Sequence, residues 1–345
     1  MVLEYGDNTT TISSNIYSYY LSYMKTMALA NVYMIYGVSG QDMLEMGDMP
    51  DYWATELGDG TTIGDRVKEQ AEESLKHFLA IAAYCKEHGL ELTREEKNNI
   101  DDAIQELISS GKYRRSKAAL NDVLLRFNID DTILGEIKRL EALTGVFARH
   151  AFSPETGREI SEDMVNQVYQ ATCSRIKHIL IPYSPGTKDF EGNPIEYTAE
   201  EMAEIYARID DLYARITGGE DFDSLLSESA DGMPPNGYTI REDSPVVPEF
   251  SDAAFDMAVG EVRKVESDFG MHIIKRYELL PADQATDDLN TGDLWRNIVY
   301  RDIQSYLMAD VLRPYIEAIE INRAETDMFS IASSAIMFDC MEIAQ

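Results

Sequence analysis

Two histidines stand in short apolar runs that read as β-strands: His178 in Ser174-Arg-Ile-Lys-His-Ile-Leu-Ile181, and His272 in Ser267-Asp-Phe-Gly-Met-His-Ile-Ile-Lys275. An imidazole can move a proton, ligate a metal or anchor a hydrogen-bond network. A metal site would need a third ligand, and none is evident near either run. The plain use of a strand histidine is a satisfied buried side chain. The other histidines, His77, His88 and His150, have no second ligand three or four residues away and read as surface or core residues. Cys85, Cys173 and Cys340 are odd in number, far apart and without a C-x-x-C, so they form neither a disulfide framework nor a metal or redox motif.

The elements that must position the two histidines span 174–280. Arg175 to Tyr183 reads as a first strand, followed by a Gly/Pro loop over Ser184 to Tyr197. Thr198-Ala-Glu-Glu201 is a capping box opening a helix through Ile205, Ile209, Leu212 and Ile216, which Gly218-Gly219 stops. Asp221 to Leu226 reads as a short helix, Gly232 to Tyr238 as a turn-rich loop and Gly237 to Ile240 as a short strand. Pro248 to Met257 reads as a further helix, and 261–266 and 271–279 as strands. The sum is a compact α+β domain of about 105 residues, an antiparallel sheet flanked by helices and large enough to fold as a unit.

The words along this segment resemble the parvulin family of peptidyl-prolyl cis/trans isomerases. They are His178 in a His-Ile-Leu context, Gly219-Glu-Asp-Phe222-Asp-Ser-Leu-Leu226, Ser229-Ala-Asp231, Val247-Pro-Glu-Phe250, and Ser267 three residues before the Gly270-Met-His272 element. The resemblance implies His178, Asp231, Ser267 and His272 as the catalytic set, and Val246, Phe250 and Met271 as the substrate pocket, with no metal and no cofactor. The chain departs from the family at Asn236-Gly237-Tyr-Thr-Ile240, where a Gly-Gly-Asp-Leu-Gly is usual, and at Val246, where the pocket usually carries methionine. Isomerisation breaks no bond. It needs an apolar cup for the proline ring and a site that favours the twisted amide over a planar one. The histidines then serve as a network that fixes tautomers and shapes the pocket, without proton transfer.

Around this segment, 1–173 reads as an N-terminal helical lobe and 281–345 as a C-terminal helical segment that packs back on it. The first helix, from Ser13 or Ser14, carries Ile16, Tyr19, Tyr20, Tyr23, Met24 and Met27, either a core face or an adaptable surface for apolar chains. Residues 40–60 read as an irregular connection, and 281–292 as a polar linker. Asp293 caps a long helix that Pro314 kinks or ends, with Ile316, Ile319 and Ile321 continuing its pattern. Met328 to Met341 reads as a terminal helix or a self-association surface, giving a homodimer. This arrangement resembles extracytoplasmic foldases of the PrsA and SurA kind: a discontinuous helical chaperone lobe with an inserted parvulin-like domain.

The 345 residues carry 62 acidic against 30 basic side chains, a net charge of −32, which repels polyphosphate and excludes nucleic acid as partner. No leader-like start and no apolar run near about 18 residues is present, so neither a signal peptide nor a membrane span is expected in this sequence. The resemblance implies unfolded or partly folded clients with X-Pro bonds, an extracytoplasmic location, and a membrane tether through an N-terminal lipid anchor missing here. It leaves open an alternative, a holdase or binding scaffold whose parvulin-like domain is catalytically weak or inactive.

Overall fold

The computed structural model describes residues 1–6, 10–37, 40–186 and 197–344. Most of the expected loop at 184–197 lies outside them. The described chain divides into two compact units, 1–159 with 307–345, and 160–306. The boundaries expected at 173 and 280 thus move outward. Both flanking stretches, one a helix and one a polar run, pack with the sheet domain rather than with the helical lobe.

The first unit opens with strands β1 (Leu3–Tyr5) and β2 (Thr10–Ile12). Helices α1 (Ser14–Tyr36), α2 (Gly40–Asp48), α3 (Pro50–Trp53), α4 (Ile63–Glu87), α5 (Arg94–Ser109), α6 (Lys117–Leu124) and α7 (Asp131–Ala151) follow. Capping sets their starts: Thr62 with Asp65 and Thr93 with Glu96 form capping boxes, and Asp130 accepts from the Thr132 and Ile133 amides. Of the expected α1 face, Ile16, Tyr19 and Tyr20 are buried, Tyr23 and Met24 are half-buried against the same core, and Met27 is half-buried. Most of residues 40–53 is helical rather than an irregular connection, while 54–60 are irregular as expected. Gly47 sits inside α2 and Pro50 at the first turn of α3, a position proline tolerates.

In the second unit, α8 (Glu162–Thr172) leads into β3 (Ser174–Pro182), α9 (Ala199–Thr217), β4 (Tyr238–Ile240), α10 (Pro248–Asp256), β5 (Val262–Ser267) and β6 (Gly270–Tyr277). A 3-10 turn at Phe222–Glu228 stands where a short helix was expected. The sheet order is β4-β3-β6-β5, all antiparallel. Its two faces bury different sets. Ile176, Ile240 and Ile274 meet Phe250, Ala253 and Ala254 of α10, whereas Ile179, Ile181 and Ile273 meet Ile209, Leu212 and Ile216 of α9. The period-two alternation of strands makes this division and decides which side chains can share a site.

Helix α11 (Trp295–Glu317) carries residues of both units and runs three residues past Pro314, which therefore does not end it. It is followed by β7 (Ile319–Ile321) and α12 (Arg323–Thr326). Ile319-Glu-Ile321 is strand, not a continued helical pattern: its burial alternates, and it pairs antiparallel with β1, Leu3 facing Ile321. Strand β1 is thus the centre of a sheet β2-β1-β7 that joins the first and last parts of the unit. The end of the chain is a 3-10 turn, Phe338–Ile343, rather than a helix, and Ile331, Met337, Cys340 and Ile343 lie in the unit's own core. The buried Lys25 ammonium holds this segment by donating to the Ala332 and Ser334 carbonyls at 3.0 and 2.8 Å.

Candidate active site

Strands β3 and β6 lie side by side, and their register sets Leu180 opposite His272 and His178 opposite Ile274. His178 and His272 share the α10 face with Ile176 and Ile274, and both are buried, at 5 % and 6 % exposure. Their rings stack at 5.3 Å with 21° between planes, and the two Nδ1 atoms stand 3.1 Å apart. Phe250 meets both rings edge to face, at 5.0 and 5.3 Å. It is held there by the start of α10, where Val247 is N-cap and Pro248 the first residue, and by the Ser174 hydroxyl donating to the Ala254 carbonyl at 2.6 Å.

The two outer nitrogens find partners at opposite ends. The hydroxyl of Ser267 lies 2.9 Å from His272 Nε2 and accepts the Phe269 amide at 3.2 Å. The β5–β6 turn makes this possible: Gly270 has φ +142, and a Cβ there would stand 2.3 Å from the Ile181 carbonyl. At the other end Asp231 Oδ2 is 3.4 Å from His178 Nε2. Asp231 is placed by the segment before it. The Leu180 amide donates to Ser229 Oγ at 2.9 Å, the Ala230 amide to the Leu180 carbonyl at 2.9 Å, and Ser229 Oγ to Asp231 Oδ1 at 2.7 Å.

These contacts favour one set of tautomers. At 3.4 Å the Asp231 carboxylate draws the His178 proton to Nε2 by its charge rather than through a close hydrogen bond, which leaves Nδ1 as acceptor. His272 then donates from Nδ1, and its Nε2 accepts from the Ser267 hydroxyl, which also lies 3.3 Å from the Gly270 carbonyl. The hydrogen bonds run from Ser267 to His272 to His178, with Asp231 beside the last ring and both rings neutral. Burial favours that state. It lowers the basicity of His178, against a smaller opposing pull from Asp231, and pushes His272 down to about 4, with the neighbouring His178 adding to the effect.

Above the rings lies a cavity of about 270 Å³, lined by Leu180, Tyr238, Val246, Phe250, Phe269 and Leu289 among others. Phe269 stands at its mouth with 64 % of its surface exposed. The expected residues His178, Asp231, His272, Val246 and Phe250 all line it, and Ser267 lies beside it as the partner of His272. Met271 does not belong: it neighbours His272 along β6, so alternation turns it to the α9 face, where it packs with Ile179 and Ile273. At the departure over 236–240, Gly237 keeps the conformation the turn needs, φ +74, where a Cβ would meet the Ile176 carbonyl at 2.4 Å. Leu180, Tyr238, Phe269 and Leu289 were missed. Period two from His178 points to Leu180, Tyr238 opens β4 opposite Ile176, and Phe269 and Leu289 are brought in by turns that periodicity does not read.

The walls are mainly apolar and aromatic, and among the described residues the one lining carboxylate is Asp231. Such a cup can take a small apolar ring and hold an adjoining carbonyl beside oriented dipoles.

Residues 164–278 match the family described as the PPIC-type PPIASE domain. The foldase protein PrsA of Oceanobacillus iheyensis is 26 % identical over 191 residues, 53 % of this chain and 53 % of that protein. The chaperone SurA of Chromohalobacter salexigens is 35 % identical over 109 residues, 30 % of this chain and 22 % of that protein. The chain thus spans about half the length of the first and under a quarter of the second. Among solved structures, the peptidylprolyl isomerase PrsA of Bacillus anthracis aligns with 17 % identity over 71 % of this chain and 96 % of that one, at a TM-score of 0.28. With the paired histidines, the hydroxyl and carboxylate at their ends and the phenylalanine above them all inside the matched segment, residues 164–278 are a PPIC-type peptidyl-prolyl isomerase domain.

Proposed function

We propose that the chain is a peptidyl-prolyl cis/trans isomerase acting as a foldase, with unfolded or partly folded polypeptides as substrates and its place of work outside the cytoplasm. The observation that carries the reading is the apolar cup floored by two neutral, hydrogen-bonded histidines.

Rotation about an amide faces a barrier of about 18–20 kcal/mol from resonance, while the two planar X-Pro forms differ by only about 0.5–1 kcal/mol. A catalyst must therefore bind the twisted form better than either planar one. Phe250, Val246 and Leu180 would hold the proline ring while the preceding carbonyl turns. A site of low polarity disfavours the more charge-separated planar amide. The Ser267-to-Asp231 chain keeps the floor rigid and its dipoles fixed. No step needs a nucleophile or a proton moved to substrate. The first unit would hold the client chain in this reading.

The test is exchange spectroscopy between cis and trans forms of X-Pro peptides with the full chain added. The reading expects exchange well above the uncatalysed tens-of-seconds timescale. No acceleration of any peptide by the folded chain would overturn it and leave the holding role alone.

A further inference from the structure

Residues 281–292 read as a polar linker, yet they form a tied turn. The buried Asp287 accepts from the Thr291 amide at 3.3 Å and the Thr291 hydroxyl at 3.2 Å, and its own amide donates to the Asp293 carbonyl at 2.9 Å. The Gly292 amide closes the turn on the Asp287 carbonyl at 2.8 Å, with Gly292 at φ +71. Trp295 anchors the base: its indole donates to the Thr286 carbonyl at 3.1 Å, and its amide to Ala285 at 2.9 Å. In Thr286-Asp-Asp-Leu-Asn-Thr-Gly292 only Leu289 is apolar. It is half-buried between the exposed Asp288 and Asn290. It packs against the Phe250 cluster, and it lines the cavity above the histidines.

Leu289 lies 11 residues beyond the matched segment, which ends at 278. The Val246 position offers a small side chain to the same cavity, and Leu289 supplies a further aliphatic wall beside Leu180 and Val247. We infer that Leu289 is a substrate-contact residue of the proline pocket, and that the Asp287-tied turn 286–292 is a recognition element that sets the pocket's width for the ring it takes. This rests on the isomerase reading above. The polar sequence of the turn supports it: a turn tied by one buried carboxylate and one indole, with one apolar side chain at its tip, presents that side chain at a fixed place.

The experiment uses the full chain with an Ala-Leu-Pro-Phe peptide, in wild type and in Leu289→Ala, Leu289→Met and Asp287→Ala. Melting temperatures report that each folds. Removing the wall should lower kcat/KM about tenfold, mainly through KM, because about two buried methylene equivalents leave the contact. Leu289→Met should retain most activity, and Asp287→Ala should reproduce the loss without altering any cavity-lining side chain. Methyl resonances of Leu289 in the wild type should move on peptide addition. A wild-type chain that accelerates exchange while Leu289→Ala keeps its KM overturns the inference and spares the isomerase reading. A chain that accelerates nothing removes the isomerase reading. Leu289 methyl shifts with peptide would then still establish the contact, and their absence would overturn it.

Discussion

The molecule carries two histidine pairs at nearly one separation. His178 and His272 stand 5.3 Å apart between ring centres in the second unit, and His88 and His150 stand 5.2 Å apart in the first. The first pair is buried, stacked, and bonded ring to ring. The second is tilted at 55°, with His88 exposed. Each of its rings bonds to Tyr84 instead of to the other, His150 Nδ1 to the hydroxyl and His88 Nδ1 to the carbonyl, both at 2.9 Å. Proximity is therefore not what makes a site. The buried pair sits on the floor of an apolar cup, with a hydroxyl at one end and a carboxylate at the other, so desolvation and the hydrogen-bond chain act together. The His88–His150 pair is more exposed, and its partners satisfy it one ring at a time.

The comparison breaks most readily at Phe250. Phe250→Ala removes the ring that meets both histidines and opens the core of the α10 face, so it should cost about 3–5 kcal/mol of stability and more than a hundredfold in kcat/KM, read by thermal melts and peptide exchange. The pH dependence sharpens it. Burial holds His272 at about 4 against an ordinary 6.5, so between those values the unfolded chain binds more protons than the folded one. Stability of the second unit should therefore be complete above about pH 6.5 and fall as pH drops toward 4, by about 3 kcal/mol in all. Urea midpoints at pH 4.5 and 7.5 check this, and His272→Gln should flatten the slope.

A smaller effect separates the pairs directly. His272→Ala leaves the buried His178 Nδ1 without its partner and Ser267 Oγ with only the Gly270 carbonyl and the Phe269 amide, which should cost about 1–3 kcal/mol and roughly tenfold or more in exchange rate, whereas His150→Ala should leave exchange unchanged. The smallest concerns charge. Among the described residues Asp231 is the one lining carboxylate and no lysine or arginine lines the cavity, so a Glu-Pro peptide should be turned over about threefold more slowly than Ala-Pro, with Asp231→Asn narrowing the gap.

The sequence made much of the site legible because its words are local. His178, Ser229-Ala-Asp231, Phe250 and Ser267 through His272 each sit in a strand, turn or helix start whose pattern can be read. The capping box at Thr198 located a helix start for the same reason. What stayed hidden depends on long-range pairing. No spacing joins His88 to His150, or Ile319-Glu-Ile321 to Leu3, because partners far apart in the chain leave no mark on either. Met271 was misplaced by its motif although alternation alone would have turned it away from His272. Leu289 was overlooked because one leucine in a polar run carries no periodicity at all.

The central claim is that the site works with two neutral rings in opposite tautomers. Nitrogen-15 imidazole spectra of the full chain test it most directly. The account predicts His178 protonated on Nε2 and His272 on Nδ1, both neutral at pH 6.5 and above and His272 still neutral at about pH 5, with a through-bond or exchange connection between their Nδ1 atoms. Either ring gaining a proton near pH 6.5, or both showing one tautomer, would contradict it.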